Sequence, residues 1–238
     1  MNLVLLTEED FVDAGRSRAR LTGRRFQHIF EVLKPSAGDE LAVGLLGSRI
    51  GKGVVSSIGA GAVDMNVSLT SDPPAPKRVN LILALPRPIV LKRILAQAAS
   101  LGVKHITLIH SNRVEKSYWK SPALKEDNIK DQLVLGLEQS GDTMLPDVSL
   151  KREFKRFVED EMPAIIKGSR AFVAHPGSRH ALPCDPKGVA TLVIGPEGGF
   201  IPSEIRLLEK TGCESVHLGQ RILRVETAVI AALARLGL

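Results

Sequence analysis

The chain has 238 residues with a net charge of +6 (32 Lys and Arg against 26 Asp and Glu), 44% hydrophobic residues and 4% aromatics. That is enough apolar material for one large or two modest folded domains, and too much for a disordered chain. No apolar run approaches the roughly 18–20 residues of a membrane-spanning helix, the start MNLVLLTEEDF lacks the marks of a secretory signal, and Cys184 and Cys213 alone make neither a disulfide scaffold nor a Cys-rich zinc site.

For the soluble, cytoplasmic protein that these exclusions leave, the first quarter of the chain reads as β-rich. Segments 40–43, 53–55 and 63–69 are apolar and separated by Gly and Ser, with a turn at 34–39 and a helix expected over 24–33. Three prolines between Ser71 and Pro76 mark a linker, which sets domains at 1–72 and 77–238. Beyond it strands alternate with helices. Val79–Leu85 is a buried-type strand, and residues 90–101 have helical spacing and stop at Gly102. Further strands are expected at 105–109, 170–174, 189–194 and 215–218, with helices at 121–138, 203–210 and 225–236. This alternation predicts an α/β fold with a mostly parallel sheet. The last helix suits either the core or a dimer face.

Charge is unevenly placed. Residues 1–75 are net −1 despite the cluster Arg16, Arg18, Arg20, Arg24 and Arg25, whereas 77–130 is net +8. Two basic clusters favour a polyanionic partner over a merely solvated surface. Six dispersed histidines offer no i,i+4 ligand pair, so no metal is expected.

Two loops carry chemistry. Ile194-Gly-Pro-Glu-Gly-Gly-Phe200 joins a strand to a helix, and its glycines allow a ligand to approach the backbone closely. It lacks the Lys-Ser/Thr of a phosphate loop and the spacing of the dinucleotide fingerprint, so it is either a tight turn or a site for another ligand. There Glu197 points to a hydroxyl, an amine or a positive charge. Leu218-Gly-Gln-Arg-Ile-Leu-Arg-Val-Glu-Thr-Ala228 ends a strand and puts Glu226 and Thr227 in the first turn of a helix. Alone it reads as ordinary capping. Both loops at one sheet edge are far more specific.

Together, IGPEGGF and LGQRILRVETA resemble the small-subunit ribosomal RNA methyltransferases that act on N3 of a uridine, members of the SPOUT (α/β-knot) superfamily. The resemblance spans the whole chain. It implies a PUA-like β-barrel domain before a catalytic domain with a C-terminal trefoil knot, S-adenosylmethionine as cofactor, ribosomal RNA as substrate, and a homodimer. It also implies a cofactor pocket of three loops: His175 and Pro176; Ile194, Gly195, Glu197, Gly198 and Gly199; and Leu218, Gly219, Ile222, Leu223 and Thr227. The chain departs from commoner family residues at Gln97, Ser100, Asp142 and Gly177.

Methylation at N3 needs a base that is unpaired or flipped out. Arginine stays protonated and cannot be the base, but it can stabilise charge developing on O2 or O4. Arg224 is assigned that role and Arg221 a phosphate or the same role. Glu226 either takes the proton or orients Arg224, with orientation preferred. RNA contacts are expected at Arg16, Arg18, Arg24, Arg25, Arg87, Arg113, Lys116 and Arg221. So few aromatics argue against an RRM-type stacking sheet, which leaves Tyr118 and Trp119 to stack on bases. The alternatives are methylation of another RNA base or of ribose 2′-O, and a non-catalytic RNA-binding homologue.

Overall fold

In the computed structural model, which describes residues 2–237, the proline-rich stretch after Ser71 carries no secondary structure. The chain divides into Met1–Ala75 with Val134–Leu145, and Pro76–Leu133 with Pro146–Leu238. Residues 134–145 therefore group with the first unit, which a single cut at the linker does not anticipate.

The first unit is a five-stranded sheet: β1 (Val4–Leu6), β2 (Arg18–Leu21), β3 (Glu40–Leu45), β4 (Ile50–Gly59) and β5 (Ala62–Ser71) in the order β1-β3-β4-β5-β2. β1 pairs parallel with β3 and the other pairs are antiparallel. The expected helix over 24–33 is α1 (Gly23–His28) continued by a π-helical turn, Ile29–Leu33, which ends at Lys34 in the left-handed region. The core is aliphatic, with Leu6, Leu21, Ile29, Val43, Val63 and Met65 buried.

β2 changes the reading of the Arg16–Arg25 cluster. Arg18 and Arg20 lie on its exposed face while Ala19 and Leu21 point into the core. Arg16 pairs with Glu8, Arg20 with Asp64, and Arg24 with the buried Glu138. Arg25, expected as an RNA contact, has structural partners. Its guanidinium makes two bonds to the buried Asp10 (2.5 and 2.6 Å) and one to the Leu5 carbonyl. Surface pairs such as Arg16–Glu8 are weak enough to yield to a phosphate, whereas breaking the Arg25 pair strands a buried carboxylate. Arg25→Ala is expected to cost about 2–3 kcal/mol of stability, read from urea denaturation. A midpoint equal to the parent's would show that Asp10 does not depend on Arg25.

The second unit is a seven-stranded sheet in which every pair is parallel. Its strands are β6 (Val79–Ala84), β7 (His105–Ile109), β8 (Asp147–Lys151), β9 (Ser169–Ala174), β10 (His180–Ala181), β11 (Val189–Ile194) and β12 (Glu214–His217), in the order β10-β12-β9-β11-β6-β7-β8. From β6 the chain steps outward through β7 to β8, then returns to the other side, so the order reverses between β6 and β11. In open parallel sheets a ligand crevice forms at that point, beyond the C-terminal ends of the strands. The helices are α2 (Pro88–Ser100), α3 (Glu126–Ser140), of which only the part up to Leu133 groups with this unit, α4 (Phe154–Arg156), α5 (Met162–Ile166), α6 (Pro202–Thr211) and α7 (Val225–Arg235). A π-helical turn, Phe157–Glu161, links α4 to α5. α3 starts five residues later than expected, because Pro122 and its neighbours form a separate 3-10 turn capped by the Ser121 hydroxyl.

The central strands are buried on both faces, with Leu81, Ile82, Leu83, Phe172, Val173, Leu192 and Val193 at zero exposure. No helix among the described residues is long and apolar enough to cross a membrane. Cys213 is buried, and desolvation pushes its thiol up to about 12, whereas Cys184 is exposed. Thiolate is the reactive form, so alkylation of the folded protein at pH 8 is expected to label Cys184 and spare Cys213. Equal labelling by peptide mass spectrometry would contradict that burial.

Candidate active site

Because the strands are parallel, their C-terminal ends lie on one edge, and the segments following β6, β9, β11 and β12 line one cavity of about 830 Å³ there. His175 and Pro176 come from the end of β9. Ile194 and the run Gly195-Pro196-Glu197-Gly198-Gly199 come from β11, and Leu218, Gly219, Ile222 and Leu223 from β12. Arg224 and Glu226 line the same cavity from the start of α7, joined by Arg87, Arg113 and Arg221. The volume is that of a small-molecule site.

The glycine loop is shaped by what surrounds it. A Cβ on Gly195 would sit 3.2 Å from the backbone nitrogen and the ring of Phe200, itself buried against Phe154. A Cβ on Gly198 would sit 3.1 Å from Cδ of Arg113. Gly199 adopts a φ of +71° and donates its N–H to the Pro196 carbonyl, which closes the turn. Glu197 accepts the backbone N–H of Arg87 at 3.1 Å and so caps the start of α2. In the last loop, Gly219 donates to His217 Nδ1 (3.1 Å), and Ile222 is 85% exposed. The His175 N–H donates to the Val216 carbonyl, which ties the first loop to β12.

The side chains of Arg221, Arg224 and Glu226 have no hydrogen bond or ion pair among the described residues. The expected orienting bond from Glu226 to Arg224 is therefore absent, and both side chains are open to a ligand. Thr227 is exposed and does not line the cavity. Residues that the sequence reading omits but the cavity uses include Val90, Ala174, Phe200, Val225 and Ala228. Phe200 closes the quoted motif IGPEGGF and was within reach of that reading; Val90 and Ala228 carry no signal beyond lying in first helical turns.

The aromatic basic segment divides in two. Trp119 is buried, its indole N–H donates to His110 Nδ1 (2.9 Å), and Arg152 stacks on its ring at 5.2 Å. At 9% exposure Trp119 offers little ring surface to a base, against its expected stacking role. Burial and the Lys116 charge hold His110 below the usual imidazole range, against Glu204, in keeping with an acceptor Nδ1. Tyr118 is only half-buried. Desolvation first, then Glu115, raises its phenol, opposed by a hydrogen bond with Arg87. It sits beside a cavity residue with its ring partly open. Lys116 is exposed and lies outside the cavity lining, while Arg16, Arg18 and Arg24 belong to the first unit.

The four departures are accommodated differently. The Ser100 hydroxyl bonds back to the Gln97 carbonyl, while Gln97 Oε1 is buried without a partner. Asp142 is buried and accepts the Met144 N–H. Gly177 sits against the His175 ring.

Residues 73–237 match the sequence pattern of the RNA methyltransferase domain family. Ribosomal RNA small subunit methyltransferase E of Treponema pallidum is 32% identical over 98% of this chain and 90% of its own. Ribosomal RNA small subunit methyltransferase E 1 of Borreliella burgdorferi is 25% identical over 98% and 95%. Among solved structures, a ribosomal RNA small subunit methyltransferase E from Neisseria gonorrhoeae bound to S-adenosylmethionine superposes with a TM-score of 0.77. That match has 22% identity and covers 98% of this chain and 95% of the other. A Legionella pneumophila protein, also with S-adenosylmethionine, gives 0.77 at 24% identity, covering 99% and 96%. These likenesses establish the fold.

Proposed function

The chain belongs to the RNA methyltransferase domain family, and from that premise we propose that it methylates N3 of a uridine in small-subunit (16S) ribosomal RNA, using S-adenosylmethionine. The observation that carries this reading is the convergence of three loops, two of them glycine-bearing, on one cavity, with an unpaired arginine and carboxylate at its edge. The cavity residues fit the cofactor. Gly195, Gly198 and Gly199 bring bare backbone to the cavity wall, and Leu218, Ile222 and Leu223 offer apolar contact to an adenine ring. S-adenosylmethionine supplies an electrophilic methyl group on sulfur.

The chain's own residues supply position and charge. Arg87, Arg113, Arg221 and Arg224 give the cavity a cationic wall that suits the RNA backbone. The Arg224 guanidinium stabilises negative charge developing on O2 or O4 as the N3 proton leaves. Glu226, with no partner of its own, receives that proton. Holding the base in line with the methyl group contributes several kcal/mol more. Tyr118, beside Arg87, is the remaining aromatic positioned to stack on an RNA base.

The same reading includes the finer architecture: a PUA-like barrel from β1–β5, a trefoil knot formed by the loops after β9, β11 and β12, and a homodimer. Exposed Ile89 (62%) and Ile222 (85%), both apolar, support a second copy over this face. Two free cysteines and a ribosomal substrate support a cytoplasmic location.

Radiolabelled S-adenosylmethionine incubated with the protein and either 30S subunits or naked 16S RNA tests the proposal. Label in RNA from at least one substrate supports it. Cofactor binding without transfer to either would favour a non-catalytic RNA-binding homologue.

A further inference from the structure

Two contacts reach across the sheet edge and serve no step of the proposed chemistry. Glu204, on the first turn of α6, is 7% exposed and uses both carboxylate oxygens on backbone N–H groups. One oxygen accepts from Ile201, at the end of the glycine loop (2.9 Å), and the other from Asn112, in the segment after β7 (2.7 Å). One residue further along, the Arg113 guanidinium donates to the Gly198 carbonyl, and its stem fills the space that a Gly198 side chain would take. The C-terminal part of the glycine loop is therefore held at two points, Gly198 and Ile201, by one segment.

That segment is stiff. The Trp119–His110 bond closes it into a loop, and Arg152 covers the Trp119 ring. It also carries Lys116 and Tyr118, and Arg113 itself is exposed. A guanidinium has five N–H donors, so one bond to Gly198 leaves others free for a phosphate. Glu204 costs desolvation to bury, and two backbone amides offset that cost only while both segments stay in place.

We infer that Arg113 and Glu204 are positioning residues that couple RNA binding on the 110–120 segment to the cofactor loop. An RNA phosphate on Arg113 immobilises the side chain packed on Gly198 and so orders the loop that receives the cofactor. Ordering done by the first ligand is not repeated for the second, which gives positive cooperativity. By linkage the effect is equal in both directions. The inference rests on the proposed function, since it takes the cavity as the cofactor site and the basic segment as an RNA contact.

The test is calorimetric titration with S-adenosylhomocysteine, which cannot react, in the absence and presence of saturating 16S RNA. The parent protein is expected to bind it about five- to tenfold more tightly with RNA. Arg113→Lys keeps the charge but not the fork, and is expected to hold RNA while the RNA effect falls to twofold or less. Glu204→Gln is expected to shrink the effect likewise. Lys116→Ala is expected to weaken RNA binding yet keep the full effect once RNA saturates. A purely structural role would lower the melting temperature or the affinity without RNA, but leave that ratio unchanged. Cofactor and RNA that bind the parent independently, or a ratio preserved in both Arg113→Lys and Glu204→Gln, would overturn the coupling alone. Failure of the parent to bind either ligand would overturn the functional reading, and the coupling with it.

Discussion

Arg224→Ala is expected to slow methyl transfer by about a hundred- to a thousandfold, or about 3–4 kcal/mol of transition-state stabilisation. Cofactor affinity should stay within about threefold of the parent. Arg224 is the N-cap of α7, exposed, and its side chain has no ion pair or hydrogen bond among the described residues. Removing it strands no buried partner, so the fold keeps its stability and the loss falls on chemistry. A positive charge that acts on a developing anion contributes mainly in the transition state, which lowers the rate rather than the ground-state affinity. Single-turnover kinetics at saturating cofactor and RNA measure the effect. Transfer within threefold of the parent would remove Arg224 from the mechanism.

Gly195→Val should act on the other half of the site. Its Cβ meets the Phe200 backbone nitrogen at 3.2 Å and the Phe200 ring at 3.2–3.3 Å, and valine adds two more methyl groups. Phe200 cannot step aside, because it is buried with Phe154 against it at a centroid distance of 6.0 Å. Overpacking of this kind costs about 1–3 kcal/mol, and relief comes from moving the glycine loop. S-adenosylmethionine affinity should fall by about a hundredfold, measured by calorimetry. Unchanged affinity would mean that this loop does not form the cofactor pocket. Gly198→Val meets only the flexible stem of Arg113 and is expected to be milder.

The order of these two effects shows what a sequence carries and what it does not. Val79–Leu85 and Val189–Ile194 are legible as strands because a parallel sheet covered on both faces needs continuous apolar runs. The two glycine loops are legible because their chemistry lies in the backbone and in consecutive residues. β2 is hidden, since its two arginines read as charge until the alternation with Ala19 and Leu21 is seen on a sheet. The helical run over 154–166 is hidden by Pro163, which sits early in α5 after a π turn.

Long-range pairing is the larger gap. The basic cluster at the start of the chain draws its counter-charges from Glu8, Asp10, Asp64 and Glu138, and no local pattern predicts the last of these. Trp119 and Tyr118 are adjacent in sequence, yet one is buried by His110 and Arg152 and the other is open. Arg113 and Gly198 are 85 positions apart and meet only because β6 alone separates β7 from β11 in the sheet. Such contacts belong to the strand order, not to composition or spacing.

Central to the account is transfer of one methyl group to N3 of a uridine in small-subunit RNA. The most direct test is to digest RNA methylated by the purified protein, identify the modified nucleoside by mass spectrometry, and map it by reverse-transcription arrest. N3 lies on the pairing edge, so its methylation blocks the polymerase. One 3-methyluridine at a single arrest site is the predicted result. A ribose 2′-O-methyl group, a methyl on another base, or RNA left unmodified would contradict it.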